Sequence, residues 1–304
     1  LMKVSIIIPV YNEIAVIGNC IESLGKQTVK SEIIIVDDGS TDGSDKYAIY
    51  KQDHKGPGAA RNLGALKCKG DILVFVDADM EFEPDFIEKL TDPIVSGKII
   101  GTYSITESLL NKSDPWAICW NLNFFGHKEK LAVSRKKNYF VKMYHATKKL
   151  LEIVETKIAP ISHNRITTLS NGDSKLPYRA ILKSEFLKVG GFSENVGYAD
   201  DWSLTEKLNQ LPTPVFAKYY HRNPSTLTEI WRQARWIGKD ELKTGNIVRQ
   251  LHSLTVYNPV VSCILATLSA YKYRNLRFFI FKIIFDFAIF VSVLLSFFNE
   301  QKAK

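Results

Sequence analysis

Asp77-Ala78-Asp79 places two carboxylates two residues apart, directly after the apolar run ILVFV at 72–76. Where the chain bends after a buried strand, two such carboxylates can share a hard divalent cation, Mg²⁺ or Mn²⁺, together with substrate phosphates. The bland alternative is a solvated turn. Asp37-Asp38-Gly39-Ser40 ends another apolar run, EIIIV at 32–36. A carboxylate there can accept from a nucleobase N–H or a ribose hydroxyl, and Ser40, Thr41 and Asp42 are equally good helix caps. Gly56-Pro57-Gly58-Ala59-Ala60-Arg61 offers a helix start, which favours anions, and an arginine one turn in. Arg61 suits a phosphate or base, or a surface salt bridge. The segment has neither the GK[ST] end of a P-loop nor a GxGxxG fingerprint, which argues against both of those nucleotide-binding classes.

Further along, Asp200-Asp201 opens a predicted helix, as a cap or, with Asp201 taking a proton from an attacking hydroxyl, as a general base. His221 follows two tyrosines in a loop and is a candidate partner for metal or phosphate. A helix over 226–242 starts at Thr226 and Glu229, which have capping-box spacing. It puts Arg232, Arg235, Trp236 and Lys239 on one face, able to grip diphosphate, lie on a membrane or simply face water. Leu227, Ile230, Trp231 and Ala234 form its core side.

These residues need a scaffold. KVSIIIPVY (3–11), EIIIV (32–36) and DILVFVD (71–77) are short continuous apolar runs, as expected of strands buried on both faces. Helical spacing separates them at 13–25, 57–68 and 84–95; a polar helix is expected from about Asp42 and a fourth strand over 98–105. Such alternation predicts an α/β fold with an open, mostly parallel sheet flanked by helices. Ligands then bind beyond the carboxyl ends of the strands, which is where Asn12-Glu13, Asp37-Asp38 and Asp77/Asp79 stand. Residues 106–170 are less regular, with Trp116, Trp120 and a basic stretch at 135–137.

The 304 residues, 45% hydrophobic and 24% charged, fit a folded protein rather than a disordered chain or a polytopic membrane protein. Four scattered cysteines lack zinc spacing, and the N-terminal apolar run is too short for a secretory signal. The net charge of +8 suits nucleic acid, anionic lipid or a phosphorylated small molecule. Apolar character concentrates at 254–298. Residues 277–298 are long enough to cross a bilayer, but Lys282 and Asp286 interrupt them; four apart, the two can pair on a helix. One span or helices lying in the interface fit best, with a packed helical pair or a dimer contact as the alternative.

The motifs SIIIPVYNE (5–13), VDDGSTDGS (36–44), GPGAARNLGA (56–65), VDAD (76–79), PYRAILKSEFLKVGGFSE (177–194), GYADDW (197–202) and RQARW (232–236), in this order, resemble the family 2 glycosyltransferases of the GT-A fold. The resemblance covers roughly residues 3–240. It implies an inverting transferase that uses a nucleotide-diphosphate sugar, UDP- or GDP-linked, with Mn²⁺ or Mg²⁺. Pro9, Tyr11 and Glu13 would line the nucleotide pocket, Asp38 would meet the base, and Arg61 would sit near base and diphosphate. Asp77 and Asp79 resemble the DxD pair around Ala78, with Asp79 as direct metal ligand and His221 near metal and diphosphate. Asp201 matches the catalytic base of the family's ED motif, in which Asp200 replaces the usual Glu. RQARW is similar to the Q(Q/R)xRW motif of synthase-like members; its Arg232, Arg235 and Trp236 would serve the donor, although Arg232 in place of Gln weakens a processive role. A catalytic domain at 1–245 and a membrane-associated or transmembrane helical tail at 246–304 are expected. With them go a lipid-linked acceptor (polyprenyl phosphate, lipid-linked oligosaccharide or glycolipid), the cytoplasmic face of the cell membrane, a possible homodimer and no nucleic acid. The alternatives are a soluble glycan or protein acceptor, or a nucleotidyltransferase.

Overall fold

The computed structural model describes residues 2–125, 176–194, 200–240 and 247–302. By its internal contacts the chain forms two units, one of residues 1–110 with 168–222, the other of 111–167 with 223–304. The sequence suggested a boundary at 245; the contacts instead group the RQARW helix with the C-terminal helices.

In the first unit, β1 (Val4–Val10), β2 (Glu32–Asp37) and β4 (Ile72–Phe75) are the three apolar runs, buried on both faces as their lack of alternation requires. β1 lies between β2 and β4, parallel to both, and a short β3 (Tyr50–Lys51) extends the edge beyond β2. On the other side β8 (Ala180–Leu182) pairs antiparallel with β4. β6 (Gly101–Ser104) and β9 (Thr213–Val215) complete the order 3-2-1-4-8-6-9. Helices α1 (Ile17–Gly25) and α3 (Phe86–Val95) pack with one face of the sheet. α2 (Pro57–Lys67), α5 (Lys183–Lys188) and α6 (Asp200–Leu208) pack with the other.

A second sheet, β5 (Met80–Phe82), β10 (Tyr219–His221) and β7 (Glu107–Leu109), has β10 in the middle, antiparallel to β5 and parallel to β7. The polar helix expected from Asp42 is one 3₁₀ turn, Ser44–Tyr47. The Asp42 carboxylate is spent on the loop, accepting from the Ile14 and Ser44 backbone N–H groups, which favours a turn over a helix. Of the 106–170 stretch, β7 and α4 (Pro115–Phe125) are seen; the basic segment at 135–137 lies outside the described residues.

The second unit is helical: α4, α7 (Leu227–Asp240), α8 (Ile247–Val256), α9 (Pro259–Tyr273) and α10 (Leu276–Lys302). The capping box at the start of α7 forms, with Thr226 Oγ1 accepting from the Glu229 N–H at 3.1 Å. Glu229 reaches back to the Ser225 N–H at 2.7 Å. Ile230 and Ala234 are buried with Trp120, Phe278, Phe281, Phe285, Ile289 and Val293.

Candidate functional site

Arg61 is the hub of the first unit. It sits near the start of α2, which Pro57 begins with its fixed φ and Gly56 precedes at φ 93°. A Cβ on Gly58 would lie 2.9 Å from the Ser193 carbonyl and 3.1 Å from Asp200, so glycine lets this helix end approach α6. Across that gap Arg61 Nη1 donates to Asp200 Oδ2 at 2.9 Å and to Asp201 Oδ1 at 2.8 Å, while Nη2 donates to Asp77 Oδ1 at 2.6 Å. One guanidinium, 4% exposed, thus ties together three carboxylates from two distant segments. Its fork geometry makes this possible; a lysine could not reach all three with the same directionality.

The electrostatics follow. Burial alone would favour a neutral Arg61, but Asp201, Asp200 and Asp77 outweigh it and hold the charge firmly. Burial also opposes the Asp77 carboxylate, yet Arg61 and Arg179 overcome this and keep its carboxyl well below the usual range. Asp200 goes the other way. Burial, then the like charges of Asp201 and Asp77, push it up to about 7 despite Arg61. Two adjacent aspartates are therefore differentiated: Asp200 is 3% exposed, whereas the Asp201 side chain keeps 24% of its surface open.

Asp79 faces His221, whose Nε2 lies 3.2 Å from Oδ2. The Arg222 N–H donates to the Asp79 carbonyl at 3.1 Å, fixing the end of β10 against the turn after β4. Asp79 Oδ1 is buried and has no hydrogen-bond partner. Burial works against a charged His221, but Asp79 and then Glu107 raise it to about 9. Glu107, on β7, stands 3.9 Å from His221 Nδ1 and accepts from the Tyr219 hydroxyl at 2.8 Å.

Asp38 is 2% exposed. Its Oδ1 accepts from Gln52 Nε2 at 2.7 Å and the Lys55 N–H at 2.8 Å, and its Oδ2 from the Gly56 N–H at 2.9 Å. His54 Nδ1 lies 3.0 Å from the same Oδ2, and its ring stacks on Tyr11 with centroids 4.2 Å apart. Asp38 thus holds the loop before α2 and positions an exposed aromatic pair. Pro9 is in β1 opposite Val36, and Ala78 is buried between the two aspartates. The Glu13 N–H is held by Ser44 Oγ at 2.8 Å. Asn12, at φ 56°, takes the left-handed conformation that asparagine tolerates, and its side-chain oxygen accepts from the Thr41 N–H.

Arg232, Arg235 and Trp236 belong to the second unit. Arg232 and Trp236 are exposed on α7, and Arg235 Nε reaches Ser292 Oγ at 3.4 Å. The first unit therefore brings together Arg61, Asp77, Asp79, Asp201 and His221, with Tyr11 and Asp38 at the neighbouring strand ends.

Sequence reasoning passed over Arg179, Glu107 and His54. Arg179 donates to Asp77 Oδ2 at 3.3 Å, so both Asp77 oxygens meet arginine, and its guanidinium lies 5.9 Å from the Tyr219 ring centroid. Arg179 immediately precedes β8, and only the antiparallel β4–β8 pairing puts it here. The motif around it was visible, but no spacing singled it out.

A divalent cation suits this donor set. The partnerless Asp79 Oδ1 is a hard oxygen, and the imidazole of His221 is beside it. No group of three or more His, Cys, Asp or Glu converges among the described residues, so oxygens of a phosphorylated substrate would have to complete the shell.

Residues 5–149 match the family described as Glycosyl transferase family 2. An uncharacterized glycosyltransferase of Haemophilus influenzae is 28% identical over 257 residues, covering 80% of this chain and 74% of that protein. The poly(ribitol-phosphate) beta-glucosyltransferase of Bacillus spizizenii is 43% identical over 94 residues, but these are 26% of this chain and only 15% of that longer protein. Among solved structures, the mannosyltransferase PcManGT of Pyrobaculum calidifontis, in complex with GDP-Man and Mn²⁺, superposes with a TM-score of 0.53 at 16% identity, covering 97% of this chain and 88% of that one. That likeness speaks to fold. With the α/β architecture above, the fold resembles the GT-A glycosyltransferases, residues 5–149 are similar to family 2 members, and the chain is a glycosyltransferase enzyme.

Proposed function

We propose that the protein is an inverting transferase that moves a sugar from a UDP- or GDP-linked donor to a lipid-linked acceptor at the cytoplasmic face of a membrane, with Mn²⁺ or Mg²⁺. The observation that carries the catalytic part is the Arg61 cluster, which sets a part-exposed carboxylate, Asp201, beside the DxD aspartates and His221. A bound cation would be held by Asp79 and His221, with Asp77 beside them, and would draw charge from the departing diphosphate.

The chain's own residues do the rest. Asp201 has one oxygen on Arg61, which orients the carboxyl. Its other oxygen is not part of that pair and would take the proton of the acceptor hydroxyl as it attacks the anomeric carbon. Attack opposite the leaving diphosphate gives one displacement and inverted configuration. The Tyr11–His54 pair would provide a flat surface for the base, and Arg61 and Arg179 keep Asp77 ionised under the diphosphate. The lipid part rests on the second unit, where the 20-residue stretch Leu276–Leu295 of α10 has the length and mean hydropathy, 2.5, of a helix able to cross a membrane.

The testing experiment incubates the protein with nucleotide sugars, Mn²⁺ or Mg²⁺ and polyprenyl-phosphate or glycolipid acceptors. Acceptor-dependent release of UDP or GDP without pyrophosphate supports the proposal. Pyrophosphate release would indicate nucleotidyl transfer, and turnover on soluble glycans alone would remove the lipid acceptor.

Two expectations follow from the same geometry. His221 has its ordinary value of 6.5 raised to about 9 in the folded protein. Its proton therefore adds stability that is complete below pH 6.5 and lost as the pH rises through about 9. A cation must displace that proton, so binding near neutral pH should release about one proton, read from the buffer dependence of the calorimetric heat. His221→Asn should remove the release. Separately, Arg179→Met should lower kcat/KM for the donor roughly 10–100-fold, as expected for a residue one step out from the cation, with partial recovery in Arg179→Lys. A lower Tm with an unchanged cation dependence would make Arg179 merely structural.

A further inference from the structure

α9 and α10 were expected from their apolar character alone; their side-chain placement says more. The inward positions of α9, Ser262, Ala266, Ser269 and Ala270, are buried, and small residues here let α10 come close. Inside that pair Asp286 is 1% exposed, with Oδ1 accepting from Lys282 at 2.6 Å and Oδ2 from Ser262 Oγ at 2.9 Å. The outward positions carry no charge either. Val260 is 70% exposed, Ile264 52% and Tyr271 49%, with Cys263 and Thr267 exposed along the same stripe. A water-facing helix normally carries its polar residues on this side; one that is hydrophobic all round belongs in a core or in lipid. On α10, Leu276 (86%), Ile280 (47%) and Phe287 (44%) are likewise exposed.

Another flank of α10 is occupied by α7. A Cβ on Gly238 would fall 2.8 Å from Ser292 Cβ and 3.1 Å from Ile289 Cα, so the two backbones run close together. α7 brings the exposed Arg232 and Gln233 with it. Such a partner cannot enter hydrocarbon without a large cost for each charge. α10 therefore has the length and hydropathy of a span but a polar helix along one side.

We propose that the outer faces of α9 and α10 form one docking surface that lies in the headgroup–acyl boundary of an anionic bilayer without crossing it. Charge identifies the occupant. Between residues 246 and 304 there are seven basic and two acidic side chains, and Lys272, Arg274 and Arg277 cluster at the turn between the two helices. Basic residues bordering an apolar face are what an anionic membrane surface attracts, and such helices sink about 5–10 Å into the interface. A second copy of the chain would bring the same positive charge to the contact. The surface sharpens the membrane part of the proposed function and does not depend on the transferase chemistry.

Cys263 supplies the probe. It is exposed on the stripe, whereas Cys20, Cys68 and Cys119 are buried. The full chain, labelled there with an environment-sensitive maleimide and kept free of nucleotide sugar, is mixed with phosphatidylcholine vesicles with or without phosphatidylglycerol. Binding and a blue shift are expected only with phosphatidylglycerol, with quenching by shallow rather than deep lipid-borne quenchers. Arg274→Gln with Arg277→Gln should weaken binding roughly 25-fold, about fivefold per charge. Val260→Glu with Ile264→Glu, at exposed positions that leave the fold intact, should abolish it. No binding, deep quenching with resistance to carbonate extraction, or a dimer that these glutamates dissociate would each overturn the proposal. Transfer to soluble acceptors, assayed in parallel, shows separately whether the transferase reading stands.

Discussion

Asp201→Asn should lower kcat by about 10²–10⁴-fold, the usual worth of a positioned general base, while nucleotide-sugar binding persists. The amide keeps the shape of the carboxylate, and its oxygen can still accept from Arg61 Nη1, which lies 2.8 Å from Asp201 Oδ1. Asp77 and Asp200 remain to neutralise the guanidinium, so the fold should survive. Asp200→Asn is the matched control, one residue away and on the same arginine. Burial already pushes Asp200 up to about 7, so a neutral side chain there costs little charge, and this carboxyl is too enclosed to meet an acceptor. Its kcat should stay within about tenfold of wild type, far inside the range expected for loss of a base. Steady-state rates with the donor saturating, and nucleotide-induced thermal shifts for binding, make the comparison. Equal loss in both variants would show that the pair acts through Arg61 rather than through proton transfer, and an unaffected Asp201→Asn would remove the base.

The differentiation of these two aspartates was not legible in the sequence. Adjacent residues at a helix start look alike until α2 is placed against them, and the contact spans 139 and 140 residues. What was legible were features set by local chemistry. The runs of β1, β2 and β4 announce strands because a parallel strand is covered on both faces and needs no alternation. The capping box at Thr226 and Glu229 and the Lys282–Asp286 pair were visible because both follow from helical spacing, and the structure forms each. The polar stretch from Asp42 misled because its side chains bond to loop backbone instead of supporting a helix. Arg179 and Glu107 reach the site only through β8 pairing with β4 and β7 with β10. Strand partners so far apart in the chain leave no local signature, so motif order could indicate the aspartates and His221 but not the side chains that hold them.

Arg61→Met should be the most destabilising single substitution in the first unit. Among the described residues Arg61 is the one cation paired with all of Asp77, Asp200 and Asp201, and without it the buried Asp200 has no counter-charge while Asp77 keeps only Arg179 at 3.3 Å. Breaking a buried ion pair by deleting one partner costs about 3–5 kcal/mol. At about 2–4 °C per kcal/mol for a unit of this size, Tm should fall by roughly 6–20 °C near neutral pH. The sign of the pH dependence is fixed by Asp77. Its carboxyl lies below the ordinary 3.8 in the folded protein, so the stability it contributes is present above that value and is lost as the pH falls below it. Without Arg61 the carboxylates bind protons more readily in the folded state than in the unfolded one. The variant should therefore gain stability as the pH drops, and the gap in Tm from wild type should narrow between neutral pH and about pH 4. Arg61→Lys, which keeps the charge but not the fork, should fall between the two and supplies folded protein if the methionine variant does not accumulate. Adding Asp200→Asn to Arg61→Met should recover part of the loss, because it removes the carboxylate that burial disfavours most. A methionine variant within about 3 °C of wild type at neutral pH, less than the cost of breaking one buried pair, would show that solvent rather than Arg61 balances the cluster.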